Sequence, residues 1–153
     1  MSGEDVVEIW TDGGCKPNPG AGGWGAILVF KGVQKELSGA ALETTNNRME
    51  LTAAAAALET LKRPCKVKLH TDSEYLKNGI TRWMTGWVRK NWRAASGDPV
   101  KNMDLWQRIL DAAKPHEIEW KWVRSHVGIE LNERADVLAT AARDDALAAR
   151  GRK

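Results

Sequence analysis

The chain has 153 residues, of which 42% are hydrophobic and 28% are charged, and its formal net charge is +3. This length predicts one domain, residues 1–153, with a core of its own, and so small a net charge does not by itself indicate a nucleic-acid partner. Because no apolar run approaches the ~20 residues of a membrane helix and the acidic start lacks a signal-peptide pattern, we expect a cytoplasmic protein that does not enter membranes. A monomer is the default expectation.

The first half of the chain predicts an antiparallel three-stranded meander and then a helix. VVEIWT (6–11) and WGAILVF (24–30) are rich in β-branched and aromatic residues, as strands are, and a third strand follows a turn at Lys31–Gly32. Between the first two strands, DGGCKPNPGAGG (12–23) holds five glycines and two prolines, which predicts turns throughout. A helix is expected from about Thr45 to Leu61, where apolar residues recur at helical spacing.

The second half alternates strands and helices. Its predicted elements are a strand over 65–71, a helix that begins at Asp72 or Ser73, a helix over 102–114, a strand over 116–123 and a helix over 132–149. Strands separated by a helix favour parallel pairing, so we expect a mixed sheet with helices packed on it. Residues 147–153, which end in RGRK, are expected to form a disordered basic tail.

A basic, tryptophan-rich segment, RWMTGWVRKNWRAASGDPVK (82–101), precedes the helix over 102–114. It has five basic residues against one acidic residue, with three tryptophans interleaved. Cationic side chains bind phosphates and flat rings stack on bases, which favours a nucleic-acid interface. An amphipathic helix with buried tryptophans and solvated charges explains the same pattern, and for the segment alone this is the simpler interpretation.

Two predicted strands end in the same dipeptide, Thr-Asp, in EIWTD and KLHTD. If these strands are parallel neighbours, Asp12 and Asp72 lie side by side at the sheet edge where α/β proteins bind ligands. Two close carboxylates repel each other unless a cation neutralises them. Either aspartate alone is explained as well by a turn cap, so a ligand site and a pair of caps both stay open.

Two further carboxylates lie at the margins of predicted helices. Glu50 flanks the apolar face near the start of the first long helix, and Asp136 flanks the apolar face of the last helix. Each can lean toward the edge that holds the aspartates, or can instead be a helix-dipole or solvated charge. Neither Cys15 nor Cys65 belongs to a C-x-x-C pair, so a convergent set of carboxylates predicts Mg²⁺ or Mn²⁺ rather than zinc.

Such a cation site suits phosphoryl chemistry. Two divalent ions can clamp an in-line displacement, one activating water and the other stabilising the departing oxygen. His126 lies in RSHVGIEL, a glycine-containing loop before the last helix. A histidine near a metal cluster can shuttle protons, but without that context an ordinary surface histidine is the simpler interpretation.

The chain resembles a known family over about residues 5–145. The matching stretches, in order, are IWTDGGCKPNPGAGGWGAIL, TTNNRMEL, TDSEYL, GWVRKNW, PVKNMDLWQRI and RSHVGIELNERAD. Together they resemble bacterial type 1 ribonuclease H, a family that cleaves the RNA strand of RNA–DNA hybrids with two divalent ions. The resemblance implies an α/β, ribonuclease H-like fold: a mixed five-stranded sheet, antiparallel over its first three strands and then parallel, flanked by helices.

The resemblance also implies a role for each matching residue. Asp12, Glu50, Asp72 and Asp136 become the catalytic, metal-binding carboxylates for two Mg²⁺ ions, for which Mn²⁺ can substitute, and His126 becomes a mobile histidine that assists the reaction. The implied nucleic-acid contacts are Cys15, Asn18, Asn46 and Glu74 toward the RNA strand, Thr45, Asn47, Trp83 and Asn102 toward the DNA strand, and Arg89 and Lys90 in a basic protrusion.

The chain departs from the family pattern in a few places. Glu74 replaces a common glutamine, Glu43 stands where some relatives have a base, Ser125 replaces a glycine, and residues 129–131 replace a His-Pro-Glu-like turn. Two other functions stay open: a non-catalytic module that binds hybrids, and a nuclease that acts on DNA with the same core. The complete set of acids argues against the first, and TTNNRMEL and the basic protrusion argue against the second.

Overall fold

The computed structural model describes residues 6–122 and 130–150. Its elements in chain order are β1 Val6–Cys15, β2 Gly20–Phe30, β3 Val33–Thr44, α1 Asn46–Glu59, β4 Lys66–Thr71, α2 Glu74–Asn78, α3 Met84–Arg89, α4 Met103–Ala113, β5 Glu117–Trp122 and α5 Glu130–Arg150. A π-helical turn, Gly79–Trp83, joins α2 to α3. None of the helices in these two ranges is long and apolar enough to cross a bilayer.

The five strands form one mixed sheet in the order β3-β2-β1-β4-β5. β2 pairs antiparallel with β1 and β3, whereas β4 pairs in parallel with β1 and β5. Short turns between β1, β2 and β3 force the chain to reverse, and the α1 crossover then returns it for parallel pairing. The mixed five-stranded sheet predicted from the sequence is confirmed.

The main core lies between the sheet and the helices α1 and α4. Alternate residues of β1, among them Val7 and Ile9, are buried against Leu51 and Leu58 of α1, and Trp106 of α4 completes the cluster. Burying one such leucine side chain stabilises the fold by about 1.5–3 kcal/mol. The alanines of α1 are also buried, and their small side chains keep this helix close to β1, which supplies part of the site described below.

The turn predicted over residues 12–23 is wrong for most of its length. β1 and β2 both run into this stretch, and only residues 16–19 lie between them. Gly13 and Gly23 occupy strands here because helices approach their backbone too closely for a side chain. A Cβ on Gly13 would meet the α1 backbone at 2.5 Å, and a Cβ on Gly23 would meet the carbonyl oxygen of Ala139 in α5 more closely still.

The other predicted boundaries agree with the structure to within about two residues, with two exceptions. α5 begins at Glu130 and continues to Arg150, so residues 147–150 are helical and not part of a disordered tail. The tryptophan-rich segment is not one helix, because it spans the end of the π-helical turn, α3 and the irregular chain that follows. The loop that carries His126 lies outside the described residues, as do residues 151–153.

Candidate active site

Three carboxylates converge at one edge of the sheet. Asp12 lies near the end of β1 and Asp72 directly follows β4, and these strands are parallel neighbours with Trp10 opposite His70. Glu50 approaches from the second turn of α1. One carboxylate oxygen from each of the three acids lies within 4.8 Å of the other two. The register of β1 and β4 therefore gathers groups that are far apart in the chain.

Two glycines set how closely the acid-bearing helices approach Asp12. Gly13 follows Asp12 and lies against the α1 backbone, where a Cβ would meet the amide nitrogen of Glu50 at 2.8 Å. Gly25 is the antiparallel partner of Asp12 and lies against the α5 backbone immediately before Asp136. Because neither glycine has a side chain, α1 and α5 can both bring a carboxylate next to the same strand position.

Burial and the neighbouring acids raise the pKa values of Asp12 and Glu50. Burial raises the pKa of Asp12 from its ordinary 3.8 to about 8, helped by the hydrogen bond with Asp136 and by the charge of Asp72, while the Gly13 N–H opposes the shift. Burial also holds the pKa of Glu50 well above its usual 4.5, with the charges of Asp12 and Asp72 adding to the effect. The cluster thus favours bound positive charge, whether from protons or from a cation.

The donor set fits a divalent cation of the hard class. Oε1 of Glu50 is buried and has no hydrogen-bond partner among the described residues, although a buried carboxylate oxygen ordinarily requires one. The three acids Asp12, Glu50 and Asp72 offer only oxygen atoms as ligands. Mg²⁺ and Mn²⁺ prefer such ligands, whereas zinc and copper favour the nitrogen and sulfur atoms of histidine and cysteine. The residues present can therefore hold such an ion, and the cation would pair the unsatisfied oxygen.

Asp136 lies beside this group rather than within it. Its side chain hydrogen-bonds that of Asp12, and both residues line one cavity. The three acids whose oxygens lie within 4.8 Å of one another do not include Asp136. The sequence predicted four acids as one set, and the structure has a group of three with the fourth in contact through Asp12.

Residues 4–144 match the sequence profile of the RNase H family. The chain belongs to the ribonuclease H family. Ribonuclease H of Acidiphilium cryptum (strain JF-5) is 76% identical over 139 residues, covering 91% of this chain and 87% of that protein. Ribonuclease H of Granulibacter bethesdensis is 74% identical over 144 residues, covering 94% and 96%. The family inferred from sequence motifs is confirmed.

Solved ribonucleases H share the fold. LC9-RNase H1, described as a type 1 RNase H with the type 2 active-site motif, superposes with a TM-score of 0.81 at 31% identity, covering 92% of this chain and 73% of that one. LC11-RNase H1, solved in complex with an RNA/DNA hybrid, superposes with a TM-score of 0.68 at 25% identity, covering 92% and 99%. The mixed sheet and its helices are thus those of a ribonuclease H.

Three of the residues predicted to contact RNA form one network in this chain. Oδ1 of Asn46 accepts a hydrogen bond from the backbone N–H of Cys15 at 2.6 Å. Oδ1 of Asn18 accepts from the backbone N–H of Asn46 at 3.2 Å and from the Cys15 thiol at 3.3 Å. The β1–β2 turn is thereby tied to the start of α1. Glu74, the fourth predicted contact, is exposed at the first residue of α2 and belongs to no part of this network.

The two predicted phosphate ligands of the DNA side are linked by Arg48. Nη1 of Arg48 donates to Oδ1 of Asn102 at 3.1 Å, and Oγ1 of Thr45 caps α1 by accepting from the Arg48 backbone N–H at 3.2 Å. Asp104 holds the guanidinium through bonds of 3.1 and 2.8 Å. The amide of Asn102 also donates to the Tyr75 hydroxyl at 3.1 Å. Both polar atoms of that side chain are therefore held in place.

No local pattern in the sequence indicates that Arg48 and Tyr75 contact Asn102. Arg48 and Asn102 are separated by 54 positions, and Tyr75 and Asn102 by 27. No periodicity rule connects residues at such separations, since helical and strand spacing act over only a few positions. The only available signal for Arg48 was its place in TTNNRMEL, between two candidate contact residues and Glu50.

The tryptophan-rich segment has both a ring packed on the core and a ring exposed to solvent. Trp87 packs against Trp106 of the core at 5.2 Å between ring centroids. Trp83 is 38% exposed and contacts Tyr75 edge-to-face at 5.8 Å. One tryptophan of the segment therefore stabilises the core, while another presents a ring to solvent. The remaining predicted contacts, Asn47, Arg89 and Lys90, are exposed.

Proposed function

We propose that this chain hydrolyses the RNA strand of RNA–DNA hybrids as a metal-dependent endonuclease. The observation that carries the proposal is the convergence of Asp12, Glu50 and Asp72 in a chain whose residues 4–144 match the ribonuclease H family. The substrate is supported by LC11-RNase H1, a structural neighbour solved with an RNA/DNA hybrid.

The proposed cofactor is a pair of divalent ions, Mg²⁺ or Mn²⁺, held by Asp12, Glu50, Asp72 and Asp136. Bound there, the ions supply Lewis-acid stabilisation to the attacking and departing oxygens of an in-line phosphodiester hydrolysis. With a pKa of about 8, the Asp12 carboxyl holds a proton at neutral pH and releases it in exchange for a cation. Gly13 and Gly25 keep the acid-bearing helices close enough for the carboxylates to act together.

The RNA strand is proposed to lie over the network of Cys15, Asn18 and Asn46. These groups offer amide donors and acceptors beside the carboxylates, as recognition of a 2′-hydroxyl in a wide minor groove requires. Their mutual hydrogen bonds fix the turn before substrate arrives, which reduces the entropy lost on binding. The exposed carboxylate of Glu74 adds negative charge on this side.

The DNA strand is proposed to lie on the other side of α1. Thr45 and Asn102 would hold one of its phosphates, and Arg48 keeps the two residues in register. The adjoining contacts that we propose are Asn47 and Trp83 with the strand, and Arg89 and Lys90 of the protrusion with its backbone. His126 would assist proton transfer at the cleaved bond, and the enzyme would act as a cytoplasmic monomer.

The test is a cleavage assay on an end-labelled RNA–DNA hybrid with Mg²⁺, with Mn²⁺ and with chelator. The RNA strand is expected to be cut in the presence of a divalent ion, while the DNA strand and free single-stranded RNA persist. Asp12→Asn should nearly abolish cleavage. Asp111→Asn is the matched control, since Asp111 is an exposed acid paired with Lys114, and it should cleave as the unmodified chain does.

Each other outcome identifies a different function. A gel shift of the hybrid without any product, whatever the metal, indicates a binding module and refutes the nuclease. Cleavage of an all-DNA duplex indicates a nuclease that acts on DNA. Hybrid cleavage should also fall steeply with added salt, because phosphate contacts release counterions, and a flat salt response would contradict the proposed backbone contacts.

A further inference from the structure

A cavity of about 200 Å³ opens beside the carboxylates, and its two ends carry opposite charge. Asp12 and Asp136 line this cavity together with Lys16 and Arg143. Asp12 pairs with Gly25, whereas Cys15, which precedes Lys16, pairs with Gly22. The Arg143 backbone lies against Gly23, so the two basic residues belong to the end away from the two acids. Acids at one end account for a metal site, but they give no reason for two cations at the other. The basic end therefore needs its own explanation.

The position of the basic end follows from helix geometry. Asp136 and Arg143 are seven residues apart on α5, two turns along one face, so their backbones are about 10 Å apart along the helix axis. The α5 backbone is held against β2 here, since a Cβ on Gly23 would meet the amide nitrogen of Arg143 at 3.0 Å. Lys16 approaches from the β1–β2 turn. The Arg143 backbone is thus held against the same sheet as the carboxylates, and Lys16 is an exposed residue that directly follows β1.

The side chain of Arg143 is held with part of its guanidinium unused. Asp144 Oδ1 accepts from Nε at 3.2 Å and from Nη2 at 2.9 Å. These two bonds leave Nη1 without a partner among the described residues. The Arg143 side chain is 24% exposed, so it is mostly withdrawn from solvent yet still faces the cavity. A planar donor that is anchored on one side and open on the other is well suited to bind an oxyanion.

We propose that Arg143 and Lys16 bind a backbone phosphate of the RNA strand near the cleaved bond. This inference rests on the proposed function. The occupant of this end must be continuous with whatever the acidic end positions, because both ends belong to one cavity. The contact would hold the strand in register with the metal site on one side of the scissile phosphate only.

The first test compares Arg143→Gln and Lys16→Gln with the unmodified enzyme on a hybrid with Mg²⁺. KM is expected to rise about three- to ten-fold for each variant, as for loss of a charged phosphate contact, with kcat within two-fold. The negative slope of log(kcat/KM) against log[salt] should become shallower by about 0.7–0.9 for each variant. An unchanged KM or an unchanged slope would overturn the proposal.

Arg134→Gln provides the matched control. Arg134 is on the same helix and also pairs with one carboxylate, Glu36, at 2.7 Å, but it does not line the cavity. Its KM and salt slope should equal those of the unmodified enzyme. A loss of affinity as large as that of Arg143→Gln would show a general effect of positive charge on α5, and would also overturn the proposal. Equal thermal unfolding temperatures exclude misfolding as the cause.

A second test locates the phosphate. A series of hybrids carries a single uncharged methylphosphonate, at successive positions on either side of one cleavage site in the RNA strand. The unmodified enzyme should lose affinity when the methylphosphonate is at one particular position, on one side of the cleavage site only. At that position the methylphosphonate should not reduce the affinity of Arg143→Gln any further. If the effects of Arg143→Gln and of the methylphosphonate on affinity multiply at every position, the two are independent and this contact is excluded. If the unmodified enzyme does not cut the unmodified hybrid, the proposed function fails instead, so the two failures are distinguishable.

Discussion

Replacing Asp12 by asparagine should remove activity and also make the metal-free protein more stable. The folded Asp12 carboxyl, with a pKa of about 8, keeps its proton over a range where the unfolded carboxyl, near 3.8, has released it. The folded state therefore binds more protons between these values, and stability falls as pH rises from about 4 to about 8. An asparagine has no such proton to lose, so Asp12→Asn removes this part of the pH dependence.

The size of the effect follows from the same pKa values. At pH 7 the solution is about 3 pH units above the unfolded pKa of Asp12. At roughly 1.4 kcal/mol per pH unit, the buried Asp12 therefore lowers the free energy of unfolding by about 4 kcal/mol. Loss of the hydrogen bond with Asp136 costs about 1–2 kcal/mol, so Asp12→Asn should gain about 2–3 kcal/mol. For a chain of this length that raises the unfolding temperature by roughly 5–10 °C. At pH 5 the destabilisation from the raised pKa of Asp12 shrinks to about 1–2 kcal/mol, and the two proteins should be nearly equal in stability.

The assay is thermal or urea unfolding of both proteins in chelator at pH 5 and pH 7. Asp111→Asn removes an exposed acid and should change stability by less than about 0.5 kcal/mol at either pH. Adding Mg²⁺ should then stabilise the unmodified chain more than Asp12→Asn, because the ion binds the folded carboxylates. If Asp12→Asn is no more stable at pH 7, or if its advantage is equally large at pH 5, the account of the cluster as a repelling set of buried acids is wrong.

Three more substitutions test how the site is built. Gly25→Ala should displace α5 and with it Asp136, lowering stability by about 1–3 kcal/mol and kcat at least ten-fold on the hybrid; normal kcat would show that this glycine does not set the site. Arg48→Met should raise KM for the hybrid about five-fold through loss of the bond to Asn102 with kcat unchanged, and an unchanged KM would remove Arg48 from the DNA side. His126→Ala should slow turnover by at most about 10²-fold in single-turnover assays, whereas complete loss would mean that the carboxylates alone do not sustain the reaction.

The matched controls for these substitutions come from the same chain. Gly86→Ala places a Cβ where nothing lies within 4 Å, so it should leave both stability and kcat close to normal, in contrast to Gly25→Ala. Arg134→Met removes an arginine paired with a single acid and should not alter KM, in contrast to Arg48→Met. His116→Ala removes a histidine whose ring accepts from the Cys65 backbone N–H, and it should leave turnover unchanged.

The regular elements could be predicted because their patterns are local. WGAILVF indicates a strand and the alanine-rich run after Glu50 indicates a helix whatever the rest of the chain does. The glycine-rich stretch 12–23 failed for the opposite reason. Its glycines resemble turn residues, but Gly13 and Gly23 are required by helices that contact them from more than 30 positions away, at Met49 and Ala139. Local composition cannot distinguish a glycine that turns from one that makes room.

Part of the candidate site could also be predicted from the sequence. Asp12 and Asp72 could be paired from the repeated Thr-Asp at two strand ends, because parallel strands end at the same edge. The register of β1 with β4 agrees with that reasoning. No such repeated pattern indicated that Arg48 holds Asn102. None indicated that Lys16 and Arg143 line the same cavity as the acids.

The sequence by itself determined the order of strands and helices, the family and the identity of the candidate acids, since each of these depends on residue types at short spacing. Only the tertiary structure decided that Asp12, Glu50 and Asp72 share one 4.8 Å cluster while Asp136 stands beside it. It also decided that basic residues face them across a cavity. Distances between side chains are set by how closely helices pack on the sheet, and in this protein that depends on glycines whose partners are remote in the chain.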